Sequence, residues 1–232
     1  MGAPEMEIRE TEIKETEIRQ MARLLACAAL VLALTLPILG AASTAGAADG
    51  DLEVATFAGG CFWCVEADFD YVPGVVRTIS GYTGGQLKDP TYKQIAAGGT
   101  EHREAVQIFF DPEQVSYETL LDVFWHSVDP TDGGGQFCDR GESYTTAIFA
   151  NSPEQRRQAE DSNRALEQSA VLKQPIVTRI EDAGPFYAAE DYHQDYYNVN
   201  PLRYTFYRFN CGRDSRIRAL WGEDALRGIA EH

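Results

Sequence analysis

The sequence predicts an α+β two-layer sandwich, a sheet with helices packed on its face. From Asp51 onward, short apolar runs with strand character alternate with runs of helical spacing. Several connections between them are too short for repeated parallel crossovers. No internal repeat and no linker interrupts residues 51–232, so they read as one domain.

The elements follow in order. "EVATFAGG" is a strand from Glu53 to Phe57, closed by Gly59 and Gly60. From Cys61 to Tyr71, the positions Phe62, Val65 and Phe69 recur at helical spacing. "VVRTISGYTGG" is a second strand ending in a glycine turn, and "EAVQIFFDP" a third, stopped by Asp111 and Pro112. In "SYETLLDVFWHSV", Ser116 caps a helix with Leu120, Leu121, Phe124 and Trp125 behind it. "TTAIFA" is a fourth strand. Ser152 and Pro153 open a long polar helix to about Ser169, with Ala159, Leu166 and Ala170 on its inner stripe. "PIVTRIE" is a fifth strand. The remainder, rich in Tyr, Asn and Pro, reads as mostly irregular until "DSRIRALWG".

Apolar content of 44% over 232 residues excludes a mostly disordered chain. A net charge of -16 argues against nucleic acid and against anionic membrane surfaces. A five-residue repeat, "EIRET EIKET EIRQM", runs from Glu7 to Met21, with more Glu than Arg and Lys. That charge is wrong for the start of an export signal, so residues 1–20 read as a non-native or disordered extension and Met21 as the true start. From Met21, a basic start, the apolar run "LLACAALVLALTLPILG" and a small-residue stretch read as a signal peptide over 21–47, cut near Ala47. The expected product is exported, in the periplasm, with no stable membrane insertion after cleavage.

Without Cys27, the exported part keeps Cys61, Cys64, Cys138 and Cys211. Export invites a structural disulfide reading, but a domain of this size needs no staples, so chemistry or metal binding is expected of its cysteines. Cys61 follows a strand and a Gly-Gly turn and opens a helix. Unpaired N–H groups and the helix dipole would favour its thiolate and lower its pKa. Three classes of function compete: a thioredoxin-like exchange pair of Cys61 and Cys64, a structural zinc held by four cysteines, and attack by Cys61 on a substrate with other cysteines resolving the oxidised product. Only one close cysteine pair exists, whereas a zinc site of this kind wants two. "DGGGQ" reads as a flexible turn, lacking the Lys of a phosphate loop. His102 and His126 read as surface or core histidines.

Further motifs stand in the order "GGCFW", "VE", "PGVV", "GYTGG", "PTY", "HREAV", "FDP", "FWHSVDPT", "CDRGESY" and "YHQDYYNVNP". Together they resemble the A-type peptide methionine sulfoxide reductases over residues 52 to 210. The resemblance implies a ferredoxin-like two-layer α/β sandwich with long coil segments. It implies thiol-dependent reduction of free and peptide-bound methionine (S)-sulfoxide, through a cysteine sulfenic acid and then an intramolecular disulfide. No cofactor and no metal are implied. The partners implied are oxidised proteins and free methionine sulfoxide as substrates, and a thioredoxin-like dithiol as reductant.

By the same resemblance Cys61 is the nucleophile. Glu104 is the acid that protonates the sulfoxide oxygen, a role suited to a carboxyl kept neutral in a dry pocket. Tyr92 and Tyr144 hydrogen-bond that oxygen, and Asp139 orders the site and its water. Phe62 and Trp63 wall the pocket of the S-methyl group, where an aromatic face suits a polarisable sulfur. His193, Gln194 and the neighbouring tyrosines line the mouth. Two positions depart from the family pattern: Cys64 and Glu101 stand where glycine is usual. Cys64 opens the question of which thiol resolves Cys61. The expected order is Cys211, from a mobile C-terminal segment, then Cys138, beside Asp139, then Cys64, one helical turn from Cys61. The alternative is an exported thiol–disulfide oxidoreductase using the Cys61/Cys64 pair.

Overall fold

The computed structural model describes residues 52–230. The expectations for the N-terminal repeat, the start at Met21 and the signal peptide lie outside the described residues.

The main sheet is built in two interleaved steps. Strand β1 (Glu53–Ala58) leads into helix α1 (Phe62–Asp70) and then β2 (Val75–Thr83). After a short helix α2 (Tyr92–Ala97), β3 (Arg103–Phe110) leads through α3 (Tyr117–His126) towards the later strands. A small ribbon follows, β4 (Gly135–Gln136) against β5 (Asp139–Arg140), and then β6 (Ala147–Ala150), α4 (Pro153–Ser169), β7 (Arg179–Asp182) and β8 (Tyr187–Ala188). The six strands lie in the order β7-β6-β1-β3-β2-β8. All pairs are antiparallel except β6 with β7.

The inner four, β6-β1-β3-β2, with α1 between β1 and β2 and α3 between β3 and β6, give the split β-α-β of a ferredoxin-like core. The two-layer α/β expectation holds. Strand β1 lies at the centre, with Ala55, Phe57 and Ala58 fully buried. Its Phe57 packs against Phe69 of α1 and against Tyr117 and Phe124 of α3, ring centroids 5.5, 6.0 and 4.9 Å apart. The helix starts are local: Ser116 Oγ accepts the Thr119 N–H, and Ser152 Oγ accepts that of Gln155 before a proline first turn. On α4, Ala159 is buried and Leu166 packs against the core, whereas Ala170 is the left-handed cap that ends the helix.

Two helical regions depart from the sequence expectation. Helix α2 starts on a capping box between Thr91 and Gln94 and buries only Ile95, too little to show as periodicity. The C-terminal stretch expected to be mostly irregular up to "DSRIRALWG" holds α5 (Tyr196–Val199) and α6 (Pro201–Cys211), and that motif itself forms α7 (Arg213–Trp221). Helix α6 inverts the usual pattern: Leu202, Phe206 and Phe209 face outward, while Tyr204 and Arg208 are buried. The mobile segment expected around Cys211 is thus a helix end, tied down by a disulfide to Cys138. Among the described residues, no helix is long and apolar enough to cross a membrane.

Candidate active site

The site forms where the end of β1 meets the start of α1. Gly60 has φ +87, and a Cβ there would lie 2.6 Å from the Gln136 side chain, so glycine is required for this turn. The turn leaves Cys61 as the N-cap of α1, 7% exposed and with its thiol free.

Glu104 reaches the same point from β3, opposite Tyr82 in the register with β2. Its carboxylate accepts the backbone N–H of Phe62 at 3.0 Å. Burial pushes the Glu104 carboxyl up to about 8, with Asp139 and Cys64 adding to the shift while the Phe62 N–H and the Tyr144 hydroxyl oppose it. Tyr144 comes from the turn before β6, and its hydroxyl is hydrogen-bonded with that of Tyr92, at the start of α2. Burial raises both tyrosines, and the nearby Glu104 adds to it. Tyr92 is held from behind by Glu190, which accepts the Tyr92 N–H at 2.9 Å and the Tyr82 hydroxyl at 3.0 Å. Glu104, Tyr92 and Tyr144, from three elements, therefore converge beside Cys61.

The aromatic pair divides its work. Phe62 is 1% exposed and packs on Tyr82 and His193. Trp63 is half-buried, stacked on Tyr196 with centroids 3.7 Å apart. Its indole donates to His193 Nδ1 at 3.1 Å. An indole only donates, so Nδ1 is the acceptor and the neutral imidazole carries its proton on Nε2. Burial holds the His193 pKa below its usual value. Gln194 is no mouth residue: its amide bonds both the N–H and the carbonyl of Ser80, at 2.9 Å each, sealing the edge of β2.

The charge state of Cys61 departs from expectation. Its pKa is not lowered but raised well above the usual thiol value, by burial first, then by Cys64 and Glu104. The first helical N–H that would have faced the sulfur serves Glu104 instead. Cys64, one turn along, is hydrogen-bonded to Cys61 and is the more acidic of the two, favoured by that bond and by Arg213 and Arg208.

Asp139 accepts the hydroxyl of Tyr207, which is also hydrogen-bonded to Cys61. Asp139 Oδ2 lies 3.7 Å from the Cys211 sulfur. The path Cys61–Tyr207–Asp139–Cys211 thus joins the Cys61 thiol to the Cys138–Cys211 disulfide, whose Cα atoms are 4.9 Å apart. Among the described residues, the one close group of three possible metal ligands is Cys138, Asp139 and Cys211, and its two sulfurs are bonded to each other. Sequence reasoning missed Tyr207, Arg208 and Arg213. A signal existed in the spacing of Tyr204, Arg208 and Cys211, which share one helical face.

A family model described as peptide methionine sulfoxide reductase matches residues 53–225. The peptide methionine sulfoxide reductase MsrA of Bacillus licheniformis is 54% identical over 73% of this chain and 94% of its own. MsrA 2 of Rhizobium meliloti is 53% identical over 77% of this chain and 88% of its own. Among solved structures, reduced Mxr1 from Saccharomyces cerevisiae aligns with a TM-score of 0.61 at 28% identity, covering 66% of this chain and 87% of that one. Methionine sulfoxide reductase A of Corynebacterium diphtheriae aligns at 0.58 and 33% identity, covering 69% and 81%. With Cys61, Glu104, Tyr92 and Tyr144 gathered at one point and these likenesses spanning nearly all the described residues, the chain belongs to the peptide methionine sulfoxide reductase family.

Proposed function

We propose that the protein reduces methionine (S)-sulfoxide, free and within proteins, with Cys61 as nucleophile and Glu104 as acid. One observation carries this reading: a buried carboxyl with a pKa of about 8 is hydrogen-bonded to the residue that follows the buried thiol. Cys61 sulfur attacks the sulfoxide sulfur. The oxygen takes a proton from Glu104, Glu104 takes the thiol proton, and the oxygen ends on Cys61 as a sulfenic acid while methionine leaves. Tyr92 and Tyr144 hold the oxygen, Phe62 and Trp63 hold the S-methyl group, and Asp139 orders the site.

Cys64 is the resolving thiol in this reading, ahead of Cys211 and Cys138, because it is hydrogen-bonded to Cys61 whereas the other two are bonded to each other. Its sulfur displaces hydroxide from the sulfenic acid, which leaves as water, and a Cys61–Cys64 disulfide forms. Both sulfurs are buried, out of reach of a protein reductant, which also argues against a plain exchange enzyme. Cys138 is exposed. Reduced Cys138 and Cys211 take over the disulfide, and an external thioredoxin-like dithiol then opens it. Residues 21–47 support export of the chain, and N-terminal sequencing of the exported protein tests that.

Separated epimers of methionine sulfoxide test the reaction itself. The S-epimer is consumed and the R-epimer is not, and Cys61→Ser consumes neither. Turnover by Cys61→Ser near the wild-type rate overturns the assignment.

A further inference from the structure

Directly behind Cys64 lies a buried ionic cluster that the reduction chemistry leaves unexplained. Asp68, 0% exposed, sits one turn beyond Cys64 on the same face of α1. It holds Arg208 Nη1 at 2.7 Å, and Arg213 Nη2 lies 3.6 Å from its other oxygen. Arg208, from α6, also binds the Tyr204 hydroxyl at 2.9 Å, and Tyr204 packs against Cys64. Asp214, one third exposed, gives Arg208 a second carboxylate at 2.7 Å. Arg213, 1% exposed, has no second carboxylate at ion-pair distance among the described residues, although its charge is felt by Asp139 and Asp214 and it lies over the Phe137 ring: it donates to the carbonyls of Gly59 and Ser127 at 3.0 and 2.8 Å, and its Nε has no partner.

A buried cation that shares its anion with another cation is costly unless a further negative group lies beside it. Asp139 and Asp214 are only half-buried; the buried group beside both cations that is able to become that anion is the Cys64 thiol. We infer that Arg208 and Arg213 are positioning residues that hold Cys64 as a thiolate, so that it resolves the Cys61 sulfenic acid without first losing a proton.

The surroundings of Cys64 fit this sign of charge. Cys61 is hydrogen-bonded to Cys64, and the charges of Arg208 on α6 and Arg213 on α7 favour the Cys64 thiolate. Against them stand Asp68 on α1 and Glu104 on β3, the latter neutral at pH 7 because burial holds its carboxyl at about 8. Tyr204 and Tyr207 on α6 are kept as neutral phenols by burial, and Tyr196 completes the wall. In the step, the Cys64 thiolate forms the S–S bond as the S–O bond of Cys61 breaks. The departing hydroxide takes a proton from Glu104, which solvent restores.

The test follows one turnover without reductant, timing methionine release, the lifetime of the sulfenic acid by dimedone trapping, and the disulfide by peptide mapping. In the wild-type protein, the resolving step is expected to be nearly flat between pH 6 and pH 7.5 and to fall as Glu104 loses its proton near pH 8. An ordinary thiol would speed up about tenfold per pH unit there. Arg208→Gln and Arg213→Gln should lengthen the sulfenic acid lifetime about tenfold or more at pH 7, restore the tenfold slope and leave the methionine burst intact. Arg208→Lys and Arg213→Lys should recover most of the rate. Because Arg213→Gln also loses two carbonyl partners, the wild-type pH profile stands as a measurement that needs no variant. A tenfold slope in the wild type overturns the inference, as does an unchanged sulfenic acid lifetime in both Gln variants. The inference rests on Cys64 as the resolving thiol, and a mapped Cys61–Cys211 or Cys61–Cys138 bond would instead overturn that underlying reading.

Discussion

The backbone N–H of Phe62 donates to Glu104 at 3.0 Å, so the proposed acid is fastened to the helix turn that presents Cys61, the proposed nucleophile. Any shift of α1 moves both groups together. The same bond uses the helical N–H that would otherwise have served the Cys61 sulfur, and burial, with Cys64 and Glu104 adding to it, keeps Cys61 a neutral thiol at rest.

In the proposed reaction Glu104 serves as the acid only while protonated. With its carboxyl at about 8, the rate of methionine release should be level below that pH and fall as pH rises through it. Glu104→Gln should lower that rate about 10²–10⁴-fold and remove the fall near pH 8. A single-turnover pH series on both proteins checks this.

Glu66 is 1% exposed and is raised from 4.5 to about 8 by burial, with Asp70 and Asp195 adding to the shift. Its folded-state pKa lies above the unfolded one, so the folded state binds the extra proton between these values. The stability this contributes is complete below about pH 4.5 and is lost as pH rises to about 8. Glu66→Gln should therefore melt close to the wild type at pH 4.5 and higher than it at pH 8.5, with a flatter Tm against pH between them. Glu104 contributes in the same direction, so Glu66→Gln flattens the curve only in part.

Cys138 and Cys211 join positions 73 residues apart. Closing so long a loop stabilises a fold by about 2–4 kcal/mol. Cys211→Ser should melt lower than the oxidised wild type and close to the reduced one. It should still release one equivalent of methionine, and it should lose multiple turnover with a thioredoxin-like protein as reductant. Retained turnover with that protein would exclude Cys211 from the outlet.

Gly60→Ala forces a Cβ to within 2.6 Å of Gln136 at a backbone φ of +87. Left-handed strain alone costs about 1–2 kcal/mol. The variant should melt several degrees lower, and methionine release should slow because the turn no longer sets Cys61. Thermal melting and single-turnover rates check the two effects.

The sequence determined much of this protein. The alternation in "EAVQIFF" and the capped amphipathic run after Ser116 are local patterns, and the strand β3 and the helix α3 follow from them. The Gly-Gly-Cys junction and the ordered motifs behind it pointed to Cys61, Glu104, Tyr92, Tyr144 and Asp139 as candidates, and the structure places Glu104, Tyr92 and Tyr144 beside Cys61 and Asp139 one hydrogen bond further, through Tyr207. Helix α6 was not legible, because its buried side is made of Tyr204 and Arg208 while its apolar residues face outward. No hydropathy pattern signals a helix whose inner face is polar. Tertiary structure alone decided the charge states. The neutral thiol of Cys61, the acid of Glu104 and the cations behind Cys64 depend on burial and on partners up to about 150 residues away in the chain, as in the bond from Arg213 to Gly59. Sequence spacing fixes which side chains share a helix face, but the dielectric around them exists only once the sheet and the C-terminal helices have closed over them.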